Sequence, residues 1–212
     1  MGFIDRFFKK PAATFEKISL EEFITDWQNI HENDPAVGVL ENIYADIKLP
    51  ERSTTGSAGY NFTVPFSFKL KLGESIVIPT GIRCKMDDSL VLFIAPRSGQ
   101  GTKYRVSLLN TIGVIDSDYY HADNEGHILV KISYDGCPVQ EKKLRSTKSH
   151  KMFKDGEIEV FLEGEDIAVF NPPELRFEAG KGFAQGVFLR YGRANEKVIK
   201  DTRKGGFGST GK

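Results

Sequence analysis

The chain has little of what metal or secretory chemistry needs. It holds two cysteines, Cys84 and Cys137, and four histidines scattered through 212 residues. Neither cysteine has a ligand-spaced neighbour, which argues against a zinc site, and so few thiols suit a reducing compartment, the cytoplasm. Net charge is missing as well: 29 Lys and Arg offset 29 Asp and Glu. No global field draws the protein to nucleic acid or to an anionic membrane, so any anion binding has to be built locally. No apolar run approaches the ~18 residues of a membrane span. Residues 1–10 mix Phe3, Ile4, Phe7 and Phe8 with Arg6, Lys9 and Lys10. They lack a continuous apolar stretch and a small-residue cleavage site, so a helix packed on the protein is expected rather than a secretory signal. What remains, 40% hydrophobic and 27% charged residues, is the composition of one globular domain with extensions.

Residues 1–45 read as a helical extension. Ser19 followed by Glu22 forms a capping box, and Leu20, Phe23, Ile24, Trp27 and Ile30 recur at helical spacing until Asn33-Asp34-Pro35. From about Ile43 the pattern changes to strands. Phe62, Val64, Phe66, Phe68, Leu70 and Leu72 occupy every second position, and Pro65 among them marks an edge or a bulge. Further short strands are expected at 75–79, 82–86, 91–95, 127–134, 157–163 and 182–189. Many short strands with little helix predict an all-β barrel or jelly roll over residues 46–200. A polar, lysine-rich insertion at about 135–156 reads as an exposed hairpin or loop. No internal repeat is present.

The C-terminal stretch 201–212 is glycine-rich but not bland. It carries Arg203, Lys204, Phe207, Ser209, Thr210 and Lys212 among many free backbone N–H groups, the parts for closing over a flat polyanion such as a nucleotide. Residues 206–212 spell G-x-x-x-x-G-K, but a phosphate-binding loop of that type needs a strand before it and a helix after the lysine, a context not expected here. Three internal segments carry further chemistry. Pro96-Arg97-Ser98-Gly99 ends a buried strand and offers a phosphate grip. Residues 110–119 pack Asn110, Gly113, Asp116 and Tyr119 into one turn. Gly182-Phe183-Ala184-Gln185-Gly186 carries one amide among apolar neighbours. Singly, each also fits an ordinary turn or strand.

Together and in order, five segments resemble the motifs of the trimeric dUTPases of bacterial or phage type. They are Ala58-Gly59-Tyr60-Asn61-Phe62, Pro96-Arg97-Ser98-Gly99, Gly113-Val114-Ile115-Asp116-Ser117-Asp118-Tyr119, Phe183-Ala184-Gln185 and Gly205-Gly206-Phe207-Gly208-Ser209-Thr210-Gly211. The resemblance implies a distorted jelly roll, a homotrimer with shared active sites, and Mg²⁺-dependent hydrolysis of dUTP to dUMP and pyrophosphate. By position, Asp116 is similar to the carboxylate that activates the attacking water at the α-phosphorus. Tyr119 resembles the ring under the deoxyribose, while Asn110 and the backbone up to Gly113 resemble the uracil reader. Arg97, Ser98, Gly99 and Gln185 resemble phosphate contacts. In the arm, Phe207 resembles the ring stacked on uracil, and Arg203, Gly208, Ser209 and Thr210 belong to its closing, phosphate-holding segment.

The departures matter too. Asn61 stands where the family carries an aspartate near the Mg²⁺ water shell, so no direct metal ligand is implied. Arg203 comes one residue later than the family arginine, and Arg105 takes a position where glycine is common. A related fold, dCTP deaminase, needs a glutamate where this chain has Lys131, which argues against deamination. A nucleotide-binding regulator, with a protein partner for the N-terminal extension or the insertion, is the alternative of a different class.

Overall fold

The computed structural model describes residues 12–31, 35–136 and 172–195, together with the backbone of four strands between 140 and 168. The first element corrects the helical expectation at residues 13–17; residues 1–11, where a packed helix was expected, lie outside the described residues. Ala13–Lys17 is a strand, β1, which pairs antiparallel with a later strand from Ala13↔Met86 to Lys17↔Ile82. Thr14, Phe15 and Glu16 alternate where no helical stripe exists, and a barrel edge is there to receive them. Helices α1 (Leu20–Ile30) and α2 (Val37–Asp46) follow, burying Phe23, Trp27 and Leu40 in the core.

The capping box at Ser19 is only half local. Ser19 Oγ accepts the Glu22 amide at 3.1 Å, but its own N–H is taken by Glu125 Oε2 at 2.9 Å. A carboxylate 106 residues away thus replaces the expected Glu22 side chain.

The remaining strands run β2 (Glu51–Arg52), β3 (Tyr60–Thr63), β4 (Phe68–Lys71), β5 (Ser75–Pro79), β6 (Ile82–Met86) and β7 (Leu90–Pro96). After a short helix, α3 (Ser98–Tyr104), come β8 (Val106–Leu108) and β9 (Gly113–Ile115), a 3₁₀ turn at Ser117–His121, and β10 (Leu129–Tyr134). Then follow β11 (Gln140–Lys143), β12 (Ser149–Lys154), β13 (Glu157–Leu162), β14 (Glu165–Ala168), β15 (Glu174–Phe177) and β16 (Gly182–Arg190). The fold is all-β in character, a distorted jelly roll. One sheet has the order β2-β3-β16-β7-β9 and another β5-β10-β8, while β1 pairs β6 and β15 pairs β4. Their inward residues, among them Phe62, Leu92, Ile94, Ile78, Ile132 and Phe183, form one core.

Pro65 does more than bend a strand. It interrupts the strand expected over 62–72, so that β3 and β4 join different sheets, because a residue without an N–H cannot continue a ladder. The insertion also runs further than 156. The strand expected at 157–163 forms as β13, but it pairs with β12 rather than with the barrel, and β14 pairs with β11. No helix among the described residues is long and apolar enough to cross a membrane.

Candidate active site

Four of the five motif segments meet on the five-stranded sheet. Asn61 lies directly opposite Gln185, and Gln185 in turn opposite Ala95. Directly paired residues share a face, so the two amides stand together on the outer side while Phe62, Ile94 and Gly186 face the core. Two glycines make room for the long side chains here. A Cβ on Gly59 would stand 2.7 Å from Gln185 Oε1, and one on Gly182 would stand 2.5 Å from an Arg97 guanidinium nitrogen. Arg97 is the exposed N-cap residue of α3, tied to the sheet by its amide to the Phe183 carbonyl at 3.3 Å. Ser98 and Gly99 follow it on the surface, and open space surrounds Gly99. Arg97, Ser98, Gly99, Gln185 and Asn61 therefore form one polar corner.

Asn61 is also engaged with its neighbouring strand. Its Nδ2 donates to Ser53 Oγ at 2.7 Å and toward the Glu51 carbonyl at 3.4 Å. An aspartate could make neither donation.

The third motif builds a second, separate cluster. Residues 109–112 do not close a hairpin of mutually paired strands: β8 pairs with β10, whereas β9 pairs with β7. The turn crosses between sheets, held by Thr111 N–H to the Leu108 carbonyl (2.9 Å) and Ile112 N–H to the Asn110 carbonyl (2.7 Å). Thr111 takes φ +68°, a strained value for a β-branched residue. Gly113 is buried, and a Cβ there would press Ile94 at 3.2 Å, so glycine lets β9 close on β7. Asp116 follows as the exposed N-cap residue of the 3₁₀ turn, to which its side chain makes no cap bond. Tyr119 is almost buried (5% exposed). Its hydroxyl donates to the His127 carbonyl at 2.8 Å and accepts from Asn124 Nδ2 at 3.0 Å. That leaves the ring face, not the hydroxyl, as its means of acting on a ligand.

Asp116 and Arg97 lie toward opposite ends of β7, while Gly113 stands opposite Ile94 between them. Ile115 pairs with Leu92, which puts Asp116 beside the start of that strand. Arg97 comes five residues after Leu92, about 17 Å along an extended chain. Within one chain, then, the carboxylate and the phosphate grip are not brought together. Arg203, Phe207, Gly208, Ser209 and Thr210 lie outside the described residues, as does the whole arm.

Sequence reasoning missed the residues that brace Tyr119. Asp26 and His127 touch across 101 positions, and no spacing signals such a pair. Glu125 went unnoticed for the same reason. Burial raises its carboxyl, but the Ser19 hydrogen bonds and the Arg83 guanidinium win and hold it below the usual carboxylate range.

An all-β scaffold that gathers these separated segments on one sheet matches a known class. The dUTPase family model covers residues 45–133. The deoxyuridine 5'-triphosphate nucleotidohydrolase of Lactococcus lactis is 32% identical over 170 residues, spanning 79% of this chain and 90% of that relative. The enzyme of the same name from Psychromonas ingrahamii is 30% identical over 187 residues, 84% of this chain and 93% of its own. The chain belongs to the dUTPase family. Two solved structures share the fold. The dUTPase from Streptococcus mutans gives a TM-score of 0.52 at 23% identity, covering 86% of this chain and 98% of that one. The dUTPase of Staphylococcus bacteriophage 80alpha with dUPNHPP gives 0.53 at 18% identity, covering 95% and 99%.

Proposed function

We propose that the protein hydrolyses dUTP to dUMP and pyrophosphate at sites completed between copies of the chain. The register of β7 carries this reading. It joins Asn61, Arg97 and Gln185 in one corner and sets Asp116 and Tyr119 at the other end. A phosphate grip that far from its water-activating carboxylate serves one substrate only when a neighbouring copy supplies the missing half. The exposed apolar side chains Leu109 and Ile112, just before the third motif, and Val114 within it offer a surface suited to such a neighbour. A homotrimer is the assembly proposed.

At the assembled site Asp116 orients a water for in-line attack on the α-phosphorus, where positioning and charge stabilisation do most of the work. Tyr119 sets its ring beneath the sugar and leaves no room for a 2'-hydroxyl. The 110–113 backbone, with Asn110, reads the uracil edge and rejects a 5-methyl group. Arg97, Ser98, the Gly99 amide and Gln185 hold the phosphates, and the 201–212 arm closes with Phe207 over the base.

Mg²⁺ fits this donor set as a metal carried by the triphosphate. Among the described residues no group of three His, Cys, Asp or Glu side chains could cage an ion. Asn61 offers a neutral amide oxygen suited to a metal-bound water rather than to the metal itself. When bound, the ion would neutralise phosphate charge and order the triphosphate.

Burial pushes the Cys84 thiol up to about 12, which leaves it unreactive at neutral pH.

The test offers dUTP, dTTP, dCTP and UTP to the purified protein with Mg²⁺. Pyrophosphate release is expected from dUTP with little from the others; equal turnover of all four, or none, would sink the reading. Asp116→Asn should lower kcat at least ~10³-fold while nucleotide binding survives. An active Asp116→Asn would move the base elsewhere.

A further inference from the structure

Helix α1 reaches the third motif through a buried brace that the reaction above does not use. His127 is wholly buried, and both ring nitrogens are engaged. Nε2 accepts the Gly81 amide at 2.8 Å, which places the ring proton on Nδ1, and Nδ1 donates to Asp26 Oδ2 at 2.6 Å. An imidazole held from both sides cannot swing. The carbonyl of the same residue receives the Tyr119 hydroxyl at 2.8 Å. Asn124 completes the ring of contacts: its Nδ2 donates to that hydroxyl, and its carbonyl accepts the His127 amide at 3.0 Å.

The segment between is pressed against Tyr119 as well. Glu125 and Gly126 take φ +55° and +72° in succession. A Cβ on Gly126 would stand 2.6 Å from the Tyr119 carbonyl and 2.8 Å from the Tyr120 Cα, so only glycine permits the approach. Ser19, at the start of α1, holds Glu125 with two hydrogen bonds at 2.9 and 2.5 Å. Asp26, two turns along the helix, holds His127. One helix therefore grips both sides of the turn that fixes Tyr119.

We propose that Asp26 is a positioning residue for Tyr119, so that α1 sets how strictly the site excludes a ribonucleotide. The inference rests on reading Tyr119 as the ring beneath the deoxyribose. Removing the Asp26 contact frees the imidazole, and the His127 peptide and the Tyr119 hydroxyl shift with it. A small displacement of the ring opens room for a 2'-hydroxyl. dUTP, which has no group at that place, gains little from it.

Steady-state kinetics with dUTP and UTP on the full chain test the proposal. Asp26→Leu removes the acceptor at similar volume, and the dUTP-to-UTP ratio of kcat/KM should fall about tenfold. Asp26→Asn keeps an oxygen that accepts from Nδ1–H and should restore the ratio. A merely structural role would lower both substrates alike, and an unchanged ratio in Asp26→Leu would overturn the proposal. Tyr119→Phe keeps the ring and cuts only its hydroxyl link, so it should lose selectivity as Asp26→Leu does. It also decides the matter should Asp26→Leu not fold, because full selectivity in Tyr119→Phe would equally overturn the brace. Tyr119→Ala separates the brace from its basis. If Tyr119→Ala retains the preference, or the unaltered protein has none, the reading of the site fails. If Tyr119→Ala loses it while Asp26→Leu and Tyr119→Phe do not, only the brace fails.

Discussion

The corner at Arg97 and the turn at Asp116 share one sheet but are held by different physics. The corner is fixed by ladder register: Asn61, Gln185 and Ala95 are consecutive partners across three strands. The turn crosses between sheets, carries Thr111 at φ +68°, and depends on side chains from α1 and the 124–127 segment to hold Tyr119. Register is set by many backbone bonds at once, so a single substitution hardly moves the corner. A turn braced by a few side-chain contacts answers to each of them. On the proposed function, phosphate placement then rests on the sheet, and selection of base and sugar on the more adjustable element.

Their separation along β7 gives the largest expected effect. Arg97→Ala and Asp116→Asn should each abolish turnover alone. Mixed and allowed to exchange subunits, the two variants should regain roughly a quarter of the unaltered activity, the share of sites that draw each intact half from a different chain. Pyrophosphate release before and after mixing measures it. No recovery despite verified exchange would mean that the halves work within one chain, and the comparison would collapse.

The two regions also differ in how far the amino-acid sequence disclosed them. Period-two alternation and short apolar runs disclosed about half of the strands, β3–β7, β10, β13 and β16, and the motif segments were recognisable in order because each is continuous in the chain. The strand Ala13–Lys17 escaped notice because its partner, β6, is some 70 positions away and five residues carry little periodicity. The ribbon boundary was misplaced because β13 has the same alternation whether it pairs with the barrel or with β12. At the site, the candidate residues were legible as types, but their division into two clusters was not, since strand order follows from tertiary pairing alone. The Asp26–His127 contact joins two residues that are ordinary in their own neighbourhoods.

Asn61 sharpens the comparison from the corner's side. Asn61→Asp exchanges a donor for an acceptor facing the Glu51 carbonyl, although Ser53 can reverse its hydroxyl to compensate. A stability loss of about 1 kcal/mol is expected. The added charge should lower the Mg²⁺ concentration needed for half-maximal rate severalfold. Thermal melting and a metal titration read the two effects separately. If stability falls and the metal requirement stays put, Asn61 serves only to tie β3 to β2.

The smallest effect concerns Arg105, which caps α3 immediately after the phosphate grip. It occupies the left-handed region at φ 51°, ψ 45°, with its amide donating to the Gln100 and Gly101 carbonyls. This backbone accounts for glycine being common at the position in the family, since a Cβ there is strained. Arg105→Gly relieves the strain, while the freer unfolded chain offsets part of the gain. A net stabilisation of ~0.5 kcal/mol is expected, a rise in Tm of about 1–2 °C for a domain of this size. Because β7 and β16 already fix Arg97, tightening the far end of α3 should leave kcat and KM for dUTP unchanged. A rise in kcat would show instead that the corner is no more rigid than the turn, and a rise in KM would assign the Arg105 guanidinium to the phosphates.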